Sequence, residues 1–146
     1  MVTQPDRILF ACTWNAVRSP IAEALMKSLC GRRVLIDSVG VRMGEIDPFA
    51  IAVMQELGID ISLHQSKTFE DLSSSNFDMV ISLSPEAQHK AMEMTRTTEC
   101  KVEFWHTMDP SIIEGSREVR LDAFRQIRDE LSKKLLTRFS NPAPVI

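Results

Sequence analysis

The 146-residue chain has no tyrosine, five glycines and only three cysteines. It also lacks any apolar run of the ~18 residues that a membrane-spanning helix needs, so no membrane segment is expected. The first residues, Met1-Val2-Thr3-Gln4-Pro5-Asp6-Arg7, show neither the basic start nor the apolar stretch of a signal peptide. The cysteines, Cys12, Cys30 and Cys100, are odd in number, widely spaced and without a Cys-x-x-Cys pair. That excludes a zinc ribbon and a thioredoxin-type motif, and it predicts a reduced, cytoplasmic protein. A basic excess is missing too. The net charge is −3, which argues against a nucleic-acid partner but leaves room for one local anion site. His64, His89 and His106 form no His-x-x-x-His or Cys/His spacing, so no metal site is expected.

What remains is enough for a core. Hydrophobic residues make up 44% and charged residues 25%, the balance of a globular chain and not of a disordered one. No repeat, low-complexity tract or linker divides the sequence. A single domain over 1–139 is predicted, with 140–146 a frayed tail. Short apolar runs alternate with helical periodicity. Strands are predicted at Ile8–Ala11, Val34–Ile36, Met79–Leu83 and Val102–Trp105. Helices are predicted from about Pro20 to Gly31 and from Pro48 to Gly58, with Phe49, Val53 and Leu57 as the stripe of the second. Two more should open at Ser84-Pro85-Glu86 and run from about Ser116 to Phe139. Strands separated by helices imply an α/β fold, a parallel sheet with helices on both faces. Ligands in such sheets bind beyond the carboxyl ends of the strands. That rule points to the loops after Ala11, Leu83 and Trp105.

The first of these loops reads Cys12-Thr13-Trp14-Asn15-Ala16-Val17-Arg18-Ser19-Pro20. A loop of this length entering a helix N-terminus can turn successive backbone N–H groups inward as an anion nest. The same field favours a thiolate at Cys12. The planar fork of Arg18 can hold two oxygens of one phosphate. Ser19 can donate a hydrogen bond to the sulfur, and Asn15 tolerates the positive φ of a tight loop. Thiolate attack on a phosphate monoester also needs an acid for the departing oxygen. Asp109-Pro110 follows the fourth strand, on the sheet edge that holds Cys12. Asp47-Pro48 is the same dipeptide and reads as a helix N-cap; position in the fold is expected to separate the two.

Cys12 through Pro20 resembles the phosphate-binding loop of the low-molecular-weight protein tyrosine phosphatases, Cys-x-Gly-Asn-x-Cys-Arg-Ser-Pro, which thioredoxin-coupled arsenate reductases share. The resemblance extends through Ala22-Glu23-Ala24, Asp37-Ser38-Val39-Gly40, Gly58-Ile59-Asp60 and His64 to Asp109-Pro110. It implies a three-layer sandwich with a four-stranded parallel sheet. It implies Cys12 as nucleophile, Arg18 as phosphate ligand and Asp109 as general acid. Thr13, Trp14, Asn15, Ala16, Val17, Arg18 and Ser19 would bind the phosphate. Asn15, Ser19 and His64 would support the loop from behind. The partner implied is a phosphorylated protein or small phosphate ester, with inorganic phosphate or another oxyanion as ligand and no cofactor.

Three positions depart from that pattern. Trp14 replaces a glycine, either lining the pocket mouth or crowding the nest. Val17 replaces a cysteine able to form a disulfide with the nucleophile. Ser111 stands where the phosphatases usually carry tyrosine, so an aromatic wall must come from Trp14, Trp105 or another residue. Cys30, on the first helix, reads as a small buried hydrophobe. Two alternatives therefore stand beside the phosphatase: an arsenate reductase using an external thiol, and a non-catalytic phosphate- or phosphopeptide-binding module. His106 lies close enough to Asp109 in sequence to tune it, but a surface role is the favoured reading, and His89 is expected to face solvent. Arg117, Arg120, Arg125 and Arg128 predict a solvated, salt-bridged face on the last helix.

Overall fold

A computed structural model describes residues 5–72 and 76–139. The tail expected to fray, 140–146, lies outside the described residues. The chain alternates β1 (Arg7–Cys12), α1 (Arg18–Cys30), β2 (Leu35–Gly40), α2 (Pro48–Gln55), β3 (Met79–Ser82), α3 (Pro85–Met94), β4 (Lys101–Phe104) and α4 (Arg117–Phe139). The four strands form one parallel sheet in the order β2-β1-β3-β4. Ile8, Leu9, Phe10 and Ala11 are fully buried because helices cover both faces.

The strand period of two sorts the core into its layers. Ile8, Phe10 and Cys12 pack with α1, α2 and α4, through Ile21, Met26, Val53, Phe124 and Leu131 among others. Leu9 and Ala11 face the opposite side, against Ala87 and Ala91 of α3 and Phe69 and Phe77. Cys12 thus lies on the face covered by the helix that its own loop enters. Successive connections leave β1 and β3 in opposite directions, so the crevice between their carboxyl ends is the switch point where ligands bind in such sheets. Among the described residues, no helix is long and apolar enough to cross a membrane.

Element edges differ from the sequence reading in instructive places. Strand β2 runs on to Gly40, beyond the apolar run, because Asp37 and Ser38 are polar yet Ser38 is fully buried. α1 begins at Arg18 rather than Pro20, its first turn growing directly out of the loop. α2 stops at Gln55, which leaves Leu57 outside the helix and exposed. Arg125 does bridge Glu56, Glu118 and Asp122 in a surface network. Arg128 departs from the expected solvated face: it is buried and donates to the Val53 carbonyl at 2.8 Å.

Gly40 sets how closely the end of β2 approaches the loop after β1. A Cβ there would stand 2.7 Å from the Asn15 nitrogen and 2.8 Å from the Trp14 carbonyl carbon, both backbone atoms that cannot swing aside. Gly40→Ala is therefore expected to cost about 1–3 kcal/mol, in the range of other overpacked sites. Thermal denaturation would show it as a melting temperature lowered by several degrees; an unchanged value would contradict this account.

Candidate active site

The loop between β1 and α1 is held from outside by its carbonyls. The Cys12, Thr13, Trp14 and Ala16 oxygens accept from the N–H groups of Val41, Arg42, Gly44 and Asp47 at 2.8–3.0 Å. The Asn15 oxygen accepts from Ser66 Oγ at 2.8 Å. Each peptide unit is a rigid plane, so a carbonyl turned out places the following N–H on the inner side. The Thr13, Trp14, Ala16, Val17 and Arg18 N–H groups make no hydrogen bond among the described residues. At the start of α1, Val17 provides no side-chain cap and no acidic residue occupies the first turn. The helix N-terminus is open to an anion, as the sequence pattern predicts.

Asn15 is the hub. It takes φ +54°, the only positive φ among the described non-glycine residues. Its side chain is fully buried and uses its whole hydrogen-bonding capacity. Nδ2 donates to Ser19 Oγ at 2.8 Å and Ser38 Oγ at 3.0 Å. Oδ1 accepts from Lys67 N at 3.0 Å and pairs with His64 Nε2 at 3.1 Å. With the amide oriented by its donors, His64 must carry its proton on Nε2. Behind this layer, Ser38 Oγ donates to Glu23. Trp14 does not need the left-handed region, so it causes no strain at the glycine position. Its indole is 46% exposed and sits under the Arg42 guanidinium.

The nucleophile candidate is buried and supported. Cys12 is 2% exposed. Its Sγ lies 2.9 Å from Ser19 Oγ and accepts from Asn15 N at 3.3 Å. Ser19 Oγ accepts from Asn15 Nδ2, and its one proton lies between the Val39 carbonyl at 3.3 Å and the sulfur at 2.9 Å, where a thiolate is the stronger acceptor. Arg18 is equally enclosed, at 7% exposure, and pairs with no carboxylate among the described residues. Its guanidinium donates only to neutral atoms, the Thr107 carbonyl at 2.9 Å and Thr13 Oγ1 at 3.4 Å. A buried cation without a counter-charge is costly, and an oxyanion bound beside it would balance it.

All three loops picked out by the sheet rule meet here. Thr13 Oγ1 donates to Ser84 Oγ of the β3 loop at 3.0 Å. Thr107, in the β4 loop, holds Arg18. Asp109 and Ser111 line a cleft of about 190 Å³ together with Cys12, Trp14, Val17 and Arg18. Asp109 is half-buried and its Oδ1 accepts from Ser111 N at 2.9 Å. Asp47 lines the same cleft, so position does not separate the two Asp-Pro dipeptides as expected; each is a cap and each faces the site. Of the two tryptophans, Trp14 lines the cleft and Trp105 does not, since Trp105 packs near Phe139 and donates to Glu103. His106 is exposed beside Phe104 and outside the cleft lining. His89 is exposed beside Glu93. Ser38, Ser66 and Thr107 carried no individual signal in the sequence, and Ser84 was read only as a helix opening. Ser38 fell inside the resemblance without a role. Among the described residues, no group of His, Cys, Asp or Glu is arranged to hold a metal ion.

The family profile described as low molecular weight phosphotyrosine protein phosphatase matches residues 7–140. The chain belongs to this family. Its curated relatives include an arsenate reductase of Bacillus subtilis (strain 168), 34% identical over 128 residues, covering 88% of this chain and 91% of the relative. Another is a glutaredoxin arsenate reductase of Synechocystis sp., 31% identical over 129 residues, covering 88% and 92%. Solved structures superpose as well. An arsenate reductase in its phosphate-binding state has a TM-score of 0.72 at 27% identity, covering 92% of this chain and 97% of that one. The YwlE arginine phosphatase with a phosphorylated active-site serine also scores 0.72, at 29% identity, covering 94% and 97%.

Burial pushes the His64 imidazole below its ordinary pKa, against the opposing pull of the Glu23 carboxylate 3.9 Å from Nδ1. The unfolded chain then binds a proton near pH 6.5 that the folded chain still refuses. Stability from this group is complete above pH 6.5 and is lost as pH falls toward the folded value, by at most ~1.4 kcal/mol per pH unit. Urea unfolding at pH 7.5 and pH 5.5 should show a smaller difference for His64→Gln than for wild type. An equal difference would remove His64 as its source.

Proposed function

We propose that this protein is a cytoplasmic, cysteine-dependent phosphomonoester hydrolase of the protein tyrosine phosphatase type, acting on a phosphorylated protein or small phosphate ester. The observation that carries this reading is the buried, unpaired Arg18 beside the free loop amides and Cys12 Sγ. The Thr13, Trp14, Ala16, Val17 and Arg18 amides and the guanidinium bind the equatorial oxygens and stabilise the charge that builds on them. The Cys12 thiolate attacks phosphorus in line, forming an S–P bond as the P–O bond breaks. Asp109 gives its proton to the departing oxygen. Water then attacks the phosphocysteine, Asp109 takes its proton, and the thiolate leaves with Ser19 donating to the sulfur. The steps invoke only side chains and backbone of this chain.

A second reading, arsenate reduction with an external thiol, is favoured by the names of the 34% and 31% identical relatives. Arsenate is a tetrahedral oxyanion and suits the same nest. An internal thiol relay is poorly placed. Cys30 ends α1, twelve residues beyond Arg18, which is ~18 Å along the helix. Cys100 precedes β4, whose Lys101 is in register with Met79 and through it with Ile8. That row is four residues below Cys12, ~13 Å along the strand. A disulfide needs Cα atoms within ~7 Å.

The deciding measurement is hydrolysis of p-nitrophenyl phosphate from pH 4 to 8 by wild type, Cys12→Ser and Asp109→Ala. Turnover should vanish in Cys12→Ser and fall ~10²–10⁴-fold in Asp109→Ala. Full activity in Cys12→Ser would sink the hydrolase reading. No ester hydrolysis, with arsenate-dependent consumption of thioredoxin or glutathione, would establish the second reading instead. Tight phosphate binding with neither turnover would leave a binding module.

A further inference from the structure

Arg18 is aimed by two neutral oxygens. Its Nη1 donates to the Thr107 carbonyl at 2.9 Å and its Nη2 to Thr13 Oγ1 at 3.4 Å. Its other N–H groups make no hydrogen bond among the described residues. The two holds differ in kind. A carbonyl can only accept, whereas a hydroxyl has a proton of its own that can turn toward the guanidinium and set donor against donor. In this chain that proton is taken: Thr13 Oγ1 donates to Ser84 Oγ at 3.0 Å. Ser84 is fixed from its other side, because it caps α3 and its Oγ accepts from Ala87 N at 3.2 Å. Thr13, Arg18 and Ser84 are all buried, so these contacts are shielded from solvent.

Ser84 does not line the cleft that holds Cys12 and Arg18, and its reach into the site runs through the Thr13 hydroxyl. We infer that Ser84 is a positioning residue for oxyanion binding. By accepting the Thr13 proton it turns a lone pair of Oγ1 to Arg18 Nη2. With the Thr107 carbonyl on Nη1, this fixes the plane of the guanidinium. The unused edge of that plane then meets two oxygens of one tetrahedral anion without first having to reorient. Each loop beyond the sheet contributes one part: Thr13 after β1, Ser84 after β3 and Thr107 after β4. The inference rests on Arg18 binding the oxyanion, which the hydrolase reading requires and arsenate reduction would require equally.

The test is a double-mutant cycle read by the Kd of inorganic phosphate, measured by calorimetry on the full chain. It compares wild type, Thr13→Val, Ser84→Ala and the double variant; valine has the shape of threonine without its hydroxyl. Each single substitution should weaken phosphate binding about tenfold, the scale of one hydrogen bond to a charged group. The double variant should bind no more weakly than Thr13→Val. Thr13→Ser, which keeps the hydroxyl, should bind phosphate as wild type does. Loss of the α3 cap would act whether or not residue 13 has a hydroxyl. Losses that multiply in the double variant therefore overturn the inference and leave Ser84 a helix cap. Undiminished binding in Ser84→Ala overturns it too, as does a wild type that binds no phosphate. Ser84→Gly, which caps nearly as well as serine, replaces Ser84→Ala if that variant does not fold. Hydrolysis of p-nitrophenyl phosphate by wild type reports on the hydrolase reading separately. Turnover with multiplying losses retains the hydrolase and removes Ser84 from it. The expected cycle without turnover retains Ser84 as a positioning residue and removes the hydrolase.

Discussion

Everything at this site depends on five carbonyls pointing the wrong way for a ligand. The Cys12 to Ala16 oxygens all face outward, four held by the chain beyond β2 and one by Ser66. Because peptide planes are rigid, that arrangement delivers the N–H groups to the inside without spending side chains on them. The cost falls on two residues. Asn15 must adopt a left-handed backbone, and Gly40 must give up its side chain so that β2 can come close enough to grip the loop. The side-chain network of Ser19, Ser38, His64 and Glu23 then fixes Asn15 through protein partners alone.

Arg18 shows the same economy in electrostatic terms. A guanidinium this buried would ordinarily be neutralised by a carboxylate, as Arg128 is by Glu56 and Asp129 on α4. Here carbonyl and hydroxyl oxygens position it and leave its charge uncompensated. Of the two buried arginines among the described residues, Arg128 is thus paired with carboxylates and Arg18 is left with its charge uncompensated. The difference lies in their partners and not in their burial. Holding Arg18 through the Thr107 carbonyl also couples it to the segment that carries Asp109, so phosphate ligand and acid candidate share one support.

Much of this was legible in the sequence. Apolar runs and helix signals placed every main element and the parallel sheet, and the loop motif stood out because it joined a buried strand to a helix. Cys12, Arg18, Asp109 and His64 all come to one place. What stayed hidden has a common physical cause. Val41, Arg42, Gly44 and Asp47 grip the loop through backbone N–H groups, which almost any residue possesses, so their types do not reveal that role. Ser66 and Lys67 reach Asn15 across some fifty residues, a separation that only the fold closes. Asp37 ends the apolar run, and Ser38 beyond it is polar where Asn15 Nδ2 finds an acceptor. Arg128 looked like part of a charged surface, yet its helical phase turns it into the core.

The support given to Cys12 bears on how the site can finish a reaction. Donors at 2.9 Å and 3.3 Å from the sulfur stabilise a thiolate before attack and again as it leaves, which serves a phosphorylated and an arsenylated cysteine equally. What distinguishes the two chemistries is the second step. Release of phosphate needs water beside a base, and Asp109 lines the cleft with one oxygen free of protein partners. Reduction of an arsenate adduct needs a thiol at the sulfur, and the strand register and helix length carry Cys100 and Cys30 away from it. Val17, in the position where the family carries a cysteine, removes the remaining internal thiol. On the proposed reading, the cleft therefore holds a candidate base for the hydrolytic second step, whereas a reductive one would borrow its thiol from solution.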